Sequence, residues 1–272
     1  MTTIFRVGAA STGPAGNGTA CARQAAEAAV EALAGTGAGL AILPELFALP
    51  YVAAEDPVGW EHLAEPLDGP TASWAADLSS RLDISILFGM ALAGVDGGKP
   101  FNAALLARPG GTVEPVAHKI HLPPAGPGEA FGEADHFTPG PPCVGTVEVG
   151  PVRLAVLICY DRRFPECWRA AASAGADLVA VLVAGPAPSD PDGIFLAELR
   201  THARANAVYA VAAARYGIET ITGSYVRHDG ETAAVTPDGG IAATGPTITI
   251  DIDPARLQAA RNSNPTARHL RI

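Results

Sequence analysis

Apolar positions along the chain fall into short runs broken by polar, Gly- or Pro-bearing stretches. The runs Ile4–Ala10, Leu40–Leu43, Ile84–Leu92, Asn102–Ala107, Val113–His118, Val152–Cys159, Leu178–Ala184 and Val208–Ala214 have the length of β-strands. Thr222–Val226, Thr232–Val235 and Thr247–Ile252 are later strand candidates. Helical stretches lie between them. Thr19–Gly35 is Ala-rich, with Thr19 placed as a cap and Gly35 as a stop. Thr71–Leu82 follows Gly69-Pro70, and Pro165–Ala174 begins with Pro, which a first helical turn tolerates. Phe195–Asn206 is a fourth helix candidate.

Strands that alternate with helices predict α/β layering. The consecutive strands across Ile84–His118 predict hairpins, so the sheets should be mixed rather than purely parallel. Two αββ-like halves are then available to pair as a sandwich. No linker cuts the chain, and residues 1–272 read as one domain. The longest loop-like stretch, Leu122–Pro142, is rich in Pro and Gly. A loop of that length inside a compact domain is usually functional.

Composition narrows the class. Of 272 residues, 48% are apolar and 17% charged, enough apolar material for a large core and too much for a disordered chain. No apolar run is long enough to span a membrane. The first residues lack a basic segment followed by an apolar one, so the expected compartment is the cytosol. A net charge of −10 with no basic run argues against nucleic-acid binding. Only Lys99 and Lys119 are lysines, against 16 arginines. In a chain that avoids Lys, a surviving Lys is a weaker candidate for a mere solubilising group. Cys21, Cys143, Cys159 and Cys167 show no CxxC and no Cys/His spacing typical of zinc, so free thiols and no metal are expected.

Three segments share one form, an apolar strand ending in a reactive residue. Leu40-Ala-Ile-Leu-Pro-Glu45 places a Glu at a sheet rim, where ligands bind in α/β folds. A surface Glu after a strand is the plainer alternative. Val116-Ala-His-Lys119-Ile-His-Leu122 places Lys119 at another strand end. His118 and His121 lack ligand-pair spacing and read as structural. Leu154-Ala-Val-Leu-Ile-Cys159 runs into Tyr-Asp-Arg-Arg-Phe-Pro-Glu166. A buried, inert Cys is the common case. A strand-to-helix turn instead aims the thiol at backbone N–H groups, which favour thiolate and oxyanion alike. The N–H of Tyr160, next after the thiol, is the natural oxyanion donor.

Taken together, Leu-Pro-Glu45, Lys119-Ile-His-Leu and Cys159-Tyr-Asp-Arg-Arg-Phe-Pro-Glu166 resemble the nitrilase, or carbon-nitrogen hydrolase, superfamily. Phe137-Thr-Pro-Gly140, Ala174-Gly-Ala-Asp177 and Pro237-Asp-Gly239 extend the resemblance over nearly the whole chain. It implies a four-layer α-β-β-α sandwich with two mixed sheets. It also implies a Glu–Lys–Cys triad of Glu45 as base, Lys119 as oxyanion partner and Cys159 as nucleophile. A second Glu is implied before Phe-Thr-Pro-Gly; Glu133 occupies that place and Glu129 is its rival. The chain departs from the family pattern at Ala9-Ala10-Ser11, at Arg204-Ala205-Asn206 and across Gly185–Asp190, where an aromatic residue is usual.

The Cys-Tyr-Asp-x-Arg-Phe-Pro-Glu pattern is most similar to amidase and omega-amidase-like branches. The implied activity is hydrolysis of a small-molecule amide, with no metal or organic cofactor, in a homodimer or larger homo-oligomer. An N-carbamoyl amine or amino-acid hydrolase, a nitrile hydrolase and a non-catalytic binding protein on the same fold stay open. The pocket is expected around Phe47–Trp60, Leu122–Phe137 and Ala184–Phe195.

Overall fold

The computed structural model describes residues 3–16, 18–184, 191–221, 224–264, 266 and 269. The first half runs β1 (Phe5–Ala10), α1 (Thr19–Gly35), β2 (Leu40–Ile42), α2 (Pro70–Leu82), β3 (Ser85–Leu92), β4 (Phe101–Ala107), β5 (Val113–His118) and a one-turn α3 (Glu133–His136). The second half runs β6 (Val147–Val149), β7 (Val152–Ile158), α4 (Pro165–Ser173), β8 (Leu178–Val183), α5 (Ile194–Asn206), β9 (Tyr209–Ala214), β10 (Tyr216–Ile221) and β11 (Ser224–Asp229). It closes with β12 (Ala233–Val235), β13 (Ile241–Thr244), β14 (Thr247–Ile252) and α6 (Pro254–Ser263).

The strands make two six-stranded mixed sheets, ordered β14-β1-β2-β3-β4-β5 and β13-β12-β9-β8-β7-β6, plus the β10–β11 hairpin. β1, β2 and β3 are parallel, as are β7, β8 and β9; the flanking pairs are antiparallel. Strand periodicity then sorts the side chains by face. Val7, Ala9, Leu40, Ile42, Leu87, Ala104 and Leu106 turn inward and pack in one cluster with β7, β8 and β9. Ala10, Ala41, Leu43, Ile86, Phe88 and Leu105 turn outward and pack under α1 and α2. α1 meets them with Ala22, Ala26, Val30 and Leu33, one stripe at helical spacing. On the other side, α4 and α5 cover the second sheet with Trp168, Ala171, Leu199 and Ala203. The layers are therefore helix, sheet, sheet, helix.

Thr19 was placed as a helix cap, but it is the first helical residue; Gly18 precedes it and no side chain caps the helix. β6, β10, β13, α3 and α6 have no counterpart among the sequence-derived elements. β10 inverts the usual pattern: Tyr216 and Ile218 are exposed while Glu219 is buried. β13 is an exposed edge strand and β6 has three residues, so neither carries a burial signal. The Thr222–Val226 candidate overlaps β11, with residues 222 and 223 outside the described residues. The departure at Gly185–Asp190 also lies outside them. No helix of the described residues is long and apolar enough to cross a membrane.

Candidate active site

The C-terminal ends of the parallel strands set the site. β2 leads through Leu43 and Pro44 to Glu45. Leu43 N–H donates to Leu87 O at 2.8 Å and Gly89 N–H to Pro44 O at 3.2 Å, so the segment stays zipped to β3. Gly89 makes this approach possible. A Cβ there would lie 2.5 Å from Glu45 Cα and 2.7 Å from Leu46 N, both backbone atoms that cannot swing away. Gly89→Ala is therefore expected to cost about 1–3 kcal/mol of stability and, by displacing Glu45, to slow turnover about tenfold to a hundredfold. Denaturant unfolding and steady-state kinetics on one preparation check both effects.

Lys119 follows β5. Its N–H donates to Asn102 O at 2.8 Å and its carbonyl accepts from Gly140 N–H at 2.8 Å. The ammonium is fully buried and bridges two carboxylates. Nζ donates to Glu45 Oε1 at 2.7 Å and to Glu133 Oε1 and Oε2 at 2.7 and 2.6 Å. Glu133 comes from α3 in the long Pro/Gly-rich loop. The rival Glu129 instead accepts from Gly126 N–H at 2.9 Å and does not appear among the Lys119 partners.

Three further donors complete the carboxylates. Asn102 Nδ2 donates to Glu45 Oε1 at 2.7 Å and to Glu133 Oε2 at 3.4 Å. Tyr51 OH donates to Glu133 Oε1 at 2.9 Å. Ala184 N–H, just past β8, donates to Glu45 Oε2 at 2.7 Å. None of these three was singled out from sequence. A lone Asn, Tyr or backbone N–H carries no local signal for such a role.

Burial and charge then fix protonation. Burial alone favours a neutral amine at Lys119, but Glu133 and then Glu45 outweigh it and hold the proton well above the usual lysine range. Burial pushes the Glu133 carboxyl up, Lys119 pulls it down and Glu45 pushes it up again; the net direction is upward.

Cys159 follows β7 at the start of a tight turn with φ of 46°. That left-handed backbone costs a residue with a Cβ about 1–2 kcal/mol, the kind of strain that collects at functional sites. Its thiol was expected to be favoured as thiolate, and the surroundings do the opposite. Burial and then the negative charge of Glu45 push it up to about 12, outweighing Lys119 and Arg162. The resting site thus holds a neutral thiol. Alkylation of Cys159 by a small reagent without an amide group is expected to accelerate about tenfold per pH unit between pH 7 and 10. A plateau near neutral pH in mass-spectrometric labelling rates would contradict it.

Asp161, in the turn after Cys159, ties the Lys- and Cys-bearing segments together. Oδ1 accepts from His121 N–H at 2.9 Å and faces His121 Nδ1 at 2.8 Å. Oδ2 accepts from Ile158 N–H at 3.3 Å and Ile120 N–H at 3.4 Å. His121, Asp161 and Cys167 bring their ligand-type atoms within 4.8 Å of one another. With its carboxylate oxygens taken up by these donors, Asp161 reads as a structural tie, and His121 stacks on Phe164 with ring centroids 3.6 Å apart. Cys21 and Cys143 are exposed and Cys167 is buried. Of the Arg162–Arg163 pair, Arg162 forms an ion pair with Glu198 at 3.1 Å, and the Arg163 guanidinium lies over the Tyr160 ring at 5.6 Å.

Cys159 and Glu133 open on a cavity of about 540 Å³. Its walls include Tyr51 and Ala53 and the Pro123–Glu133 loop, from two of the expected segments, and Phe195 at the end of the third, whose residues 185–190 lie outside the described ones; Tyr160 and Val183 lie outside all three expected segments. A fourth wall, Arg215, Val226, Asp229 and Gly230, comes from the β10–β11 hairpin and its ends and was not anticipated.

The carbon-nitrogen hydrolase profile matches residues 7–262, and the chain belongs to that family. It is 30% identical over 262 residues to a deaminated glutathione amidase from Synechocystis, covering 90% of this chain and 91% of that one. It is 35% identical over 219 residues to a hydrolase of the pqqF 5′ region from Pseudomonas protegens, covering 79% of this chain and 70% of that one. In fold it is similar to a carbon-nitrogen hydrolase from Helicobacter pylori, with TM-score 0.87, 20% identity, and coverage of 99% and 96% of the two chains. The protein is a carbon-nitrogen hydrolase enzyme.

Proposed function

We propose that the protein hydrolyses the C–N bond of a small-molecule amide through a thioester on Cys159. One observation carries this reading: a buried ammonium clamped between two carboxylates, Glu45 and Glu133, beside a thiol that opens on a cavity.

The raised thiol shapes the mechanism. Against an ordinary value of 9, a thiol at about 12 makes a free thiolate cost about 4 kcal/mol more than in water. Attack therefore goes with proton transfer. The Cys159 sulfur bonds to the amide carbon as its proton passes to Glu45. The carbonyl π-electrons move onto oxygen, and Lys119 Nζ and the Tyr160 N–H stabilise the oxyanion. Losing one such donor typically costs about a hundredfold to a thousandfold in rate. Glu45 then gives its proton to the leaving nitrogen as the C–N bond breaks. Ammonia or an amine departs and a thioester remains. Water attacks the thioester as its proton passes to Glu45; the tetrahedral intermediate then collapses, the C–S bond breaks, the Cys159 sulfur takes that proton back from Glu45, and the acid is released. Glu133 keeps Lys119 charged and aimed throughout.

Ammonia release tests this reading. Purified protein is offered short amides, N-carbamoyl amines and nitriles, with Cys159→Ala in parallel. Release from amides that vanishes in the variant supports an amidase. Preference for carbamoyl compounds or nitriles reassigns the substrate within the same chemistry. No release from any compound, with an unreactive Cys159, points to a binding protein on the same fold.

A further inference from the structure

β10 was absent from the sequence reading, yet the β10–β11 hairpin and the residue before it bury three charged or titratable side chains. Arg215 lies just before β10, Glu219 within it and His228 within β11, and all three side chains are shielded from solvent. We infer that Arg215, Glu219 and His228 form a positioning cluster that fixes both active-site carboxylates, acting through Tyr51 and Ala184. The inference rests on the amide-hydrolase reading above.

Glu219 is the centre of the cluster. Oε1 accepts from Ala15 N–H at 2.7 Å and from the Arg215 guanidinium. Oε2 accepts from Tyr51 N–H at 2.9 Å and faces His228 Nε2 at 3.1 Å. Burial pushes its carboxyl up, but the bond to His228 and the charge of Arg215 bring it down to about 2. It is ionised at neutral pH. A buried carboxylate with every acceptor direction in use is a rigid anchor rather than a proton shuttle.

Two chains of contacts lead from this anchor to the chemistry. Through the first, Glu219 holds the Tyr51 backbone, and Tyr51 OH donates to Glu133 Oε1, which faces Lys119. Through the second, Glu219 holds His228, whose Nδ1 donates to Ala184 O, and Ala184 N–H donates to Glu45 Oε2. Each active-site carboxylate thus takes one donor whose place is set by the same cluster. The cluster also adjoins the substrate space, since Arg215, Val226 and Asp229 line the cavity with Cys159.

The test is a double-mutant cycle with steady-state kinetics and melting curves. Glu219→Gln is expected to lower kcat about tenfold to a hundredfold, with KM within about threefold. Tyr51→Phe lowers kcat by removing the hydroxyl on Glu133. The double variant is expected to be no slower than the slower single variant, because both act on one chain of contacts. Multiplying effects, or full kcat in Glu219→Gln, overturns the proposal. Should Glu219→Gln fail to melt cooperatively, His228→Gln carries the test: kcat falls at constant KM if the cluster positions Glu45, and unchanged kcat overturns it. Wild-type protein inactive on every amide refutes the amide-substrate reading alone. The same variants are then compared by the rate of Cys159 alkylation at fixed pH, which the placement of Glu45 controls. Equal rates across all variants overturn the positioning role.

Discussion

A Lys119→Met variant is expected to be about 3–5 kcal/mol less stable than the parent at pH 8 and to recover much of that deficit in acid. Met fills similar space but leaves Glu45 and Glu133 buried without the cation that bridges them. The Glu133 carboxyl already lies above its ordinary range because burial outweighs the pull of Lys119. Without Lys119 it rises further. A carboxyl whose folded pKa exceeds its unfolded value, about 4.3 for Glu, binds its proton more tightly when folded. Its contribution is favourable below the unfolded pKa and is lost as pH rises through the folded one. Urea unfolding at pH 4.5 and pH 8 reads the difference directly. A deficit independent of pH would mean that lost packing, not uncompensated charge, is the cause. Turnover falls by at least about a hundredfold to a thousandfold, since the oxyanion loses its cation.

Cys159→Ala is expected to remove amide hydrolysis, a loss on the order of 10⁴-fold or more, while stability stays within about 1 kcal/mol. The two effects separate because the thiol is a poor structural partner. It sits beside carboxylates that oppose its ionisation, and its backbone is held at φ 46° whatever the side chain. Turnover within about tenfold of the parent, with an unchanged melting curve, would move the nucleophile elsewhere.

How much of this was legible in the chain follows from where the information lies. Glu45, Lys119 and Cys159 each end an apolar strand, so their sequence neighbours announce them. Glu133 was legible only through its place before Phe137-Thr-Pro-Gly140, because no spacing could show that α3 folds back over Lys119. Asn102 reads as an ordinary strand residue, and its value lies in facing both carboxylates at once. Glu219 was hidden more deeply. Its strand buries the charged residue and exposes Tyr216 and Ile218, the reverse of what hydrophobic periodicity detects. The thiol was misjudged for a related reason. A strand-to-helix turn suggests positive potential, whereas burial and then the charge of Glu45 outweigh Lys119 and Arg162 at Cys159.

The most direct test of the account is acid quenching during turnover of a short amide, followed by peptide mass mapping. The expected result is an acyl adduct on the peptide containing Cys159, chased to free acid on longer incubation and missing in Cys159→Ala. Sustained ammonia release with no adduct on Cys159, and undiminished release in Cys159→Ala, would contradict it.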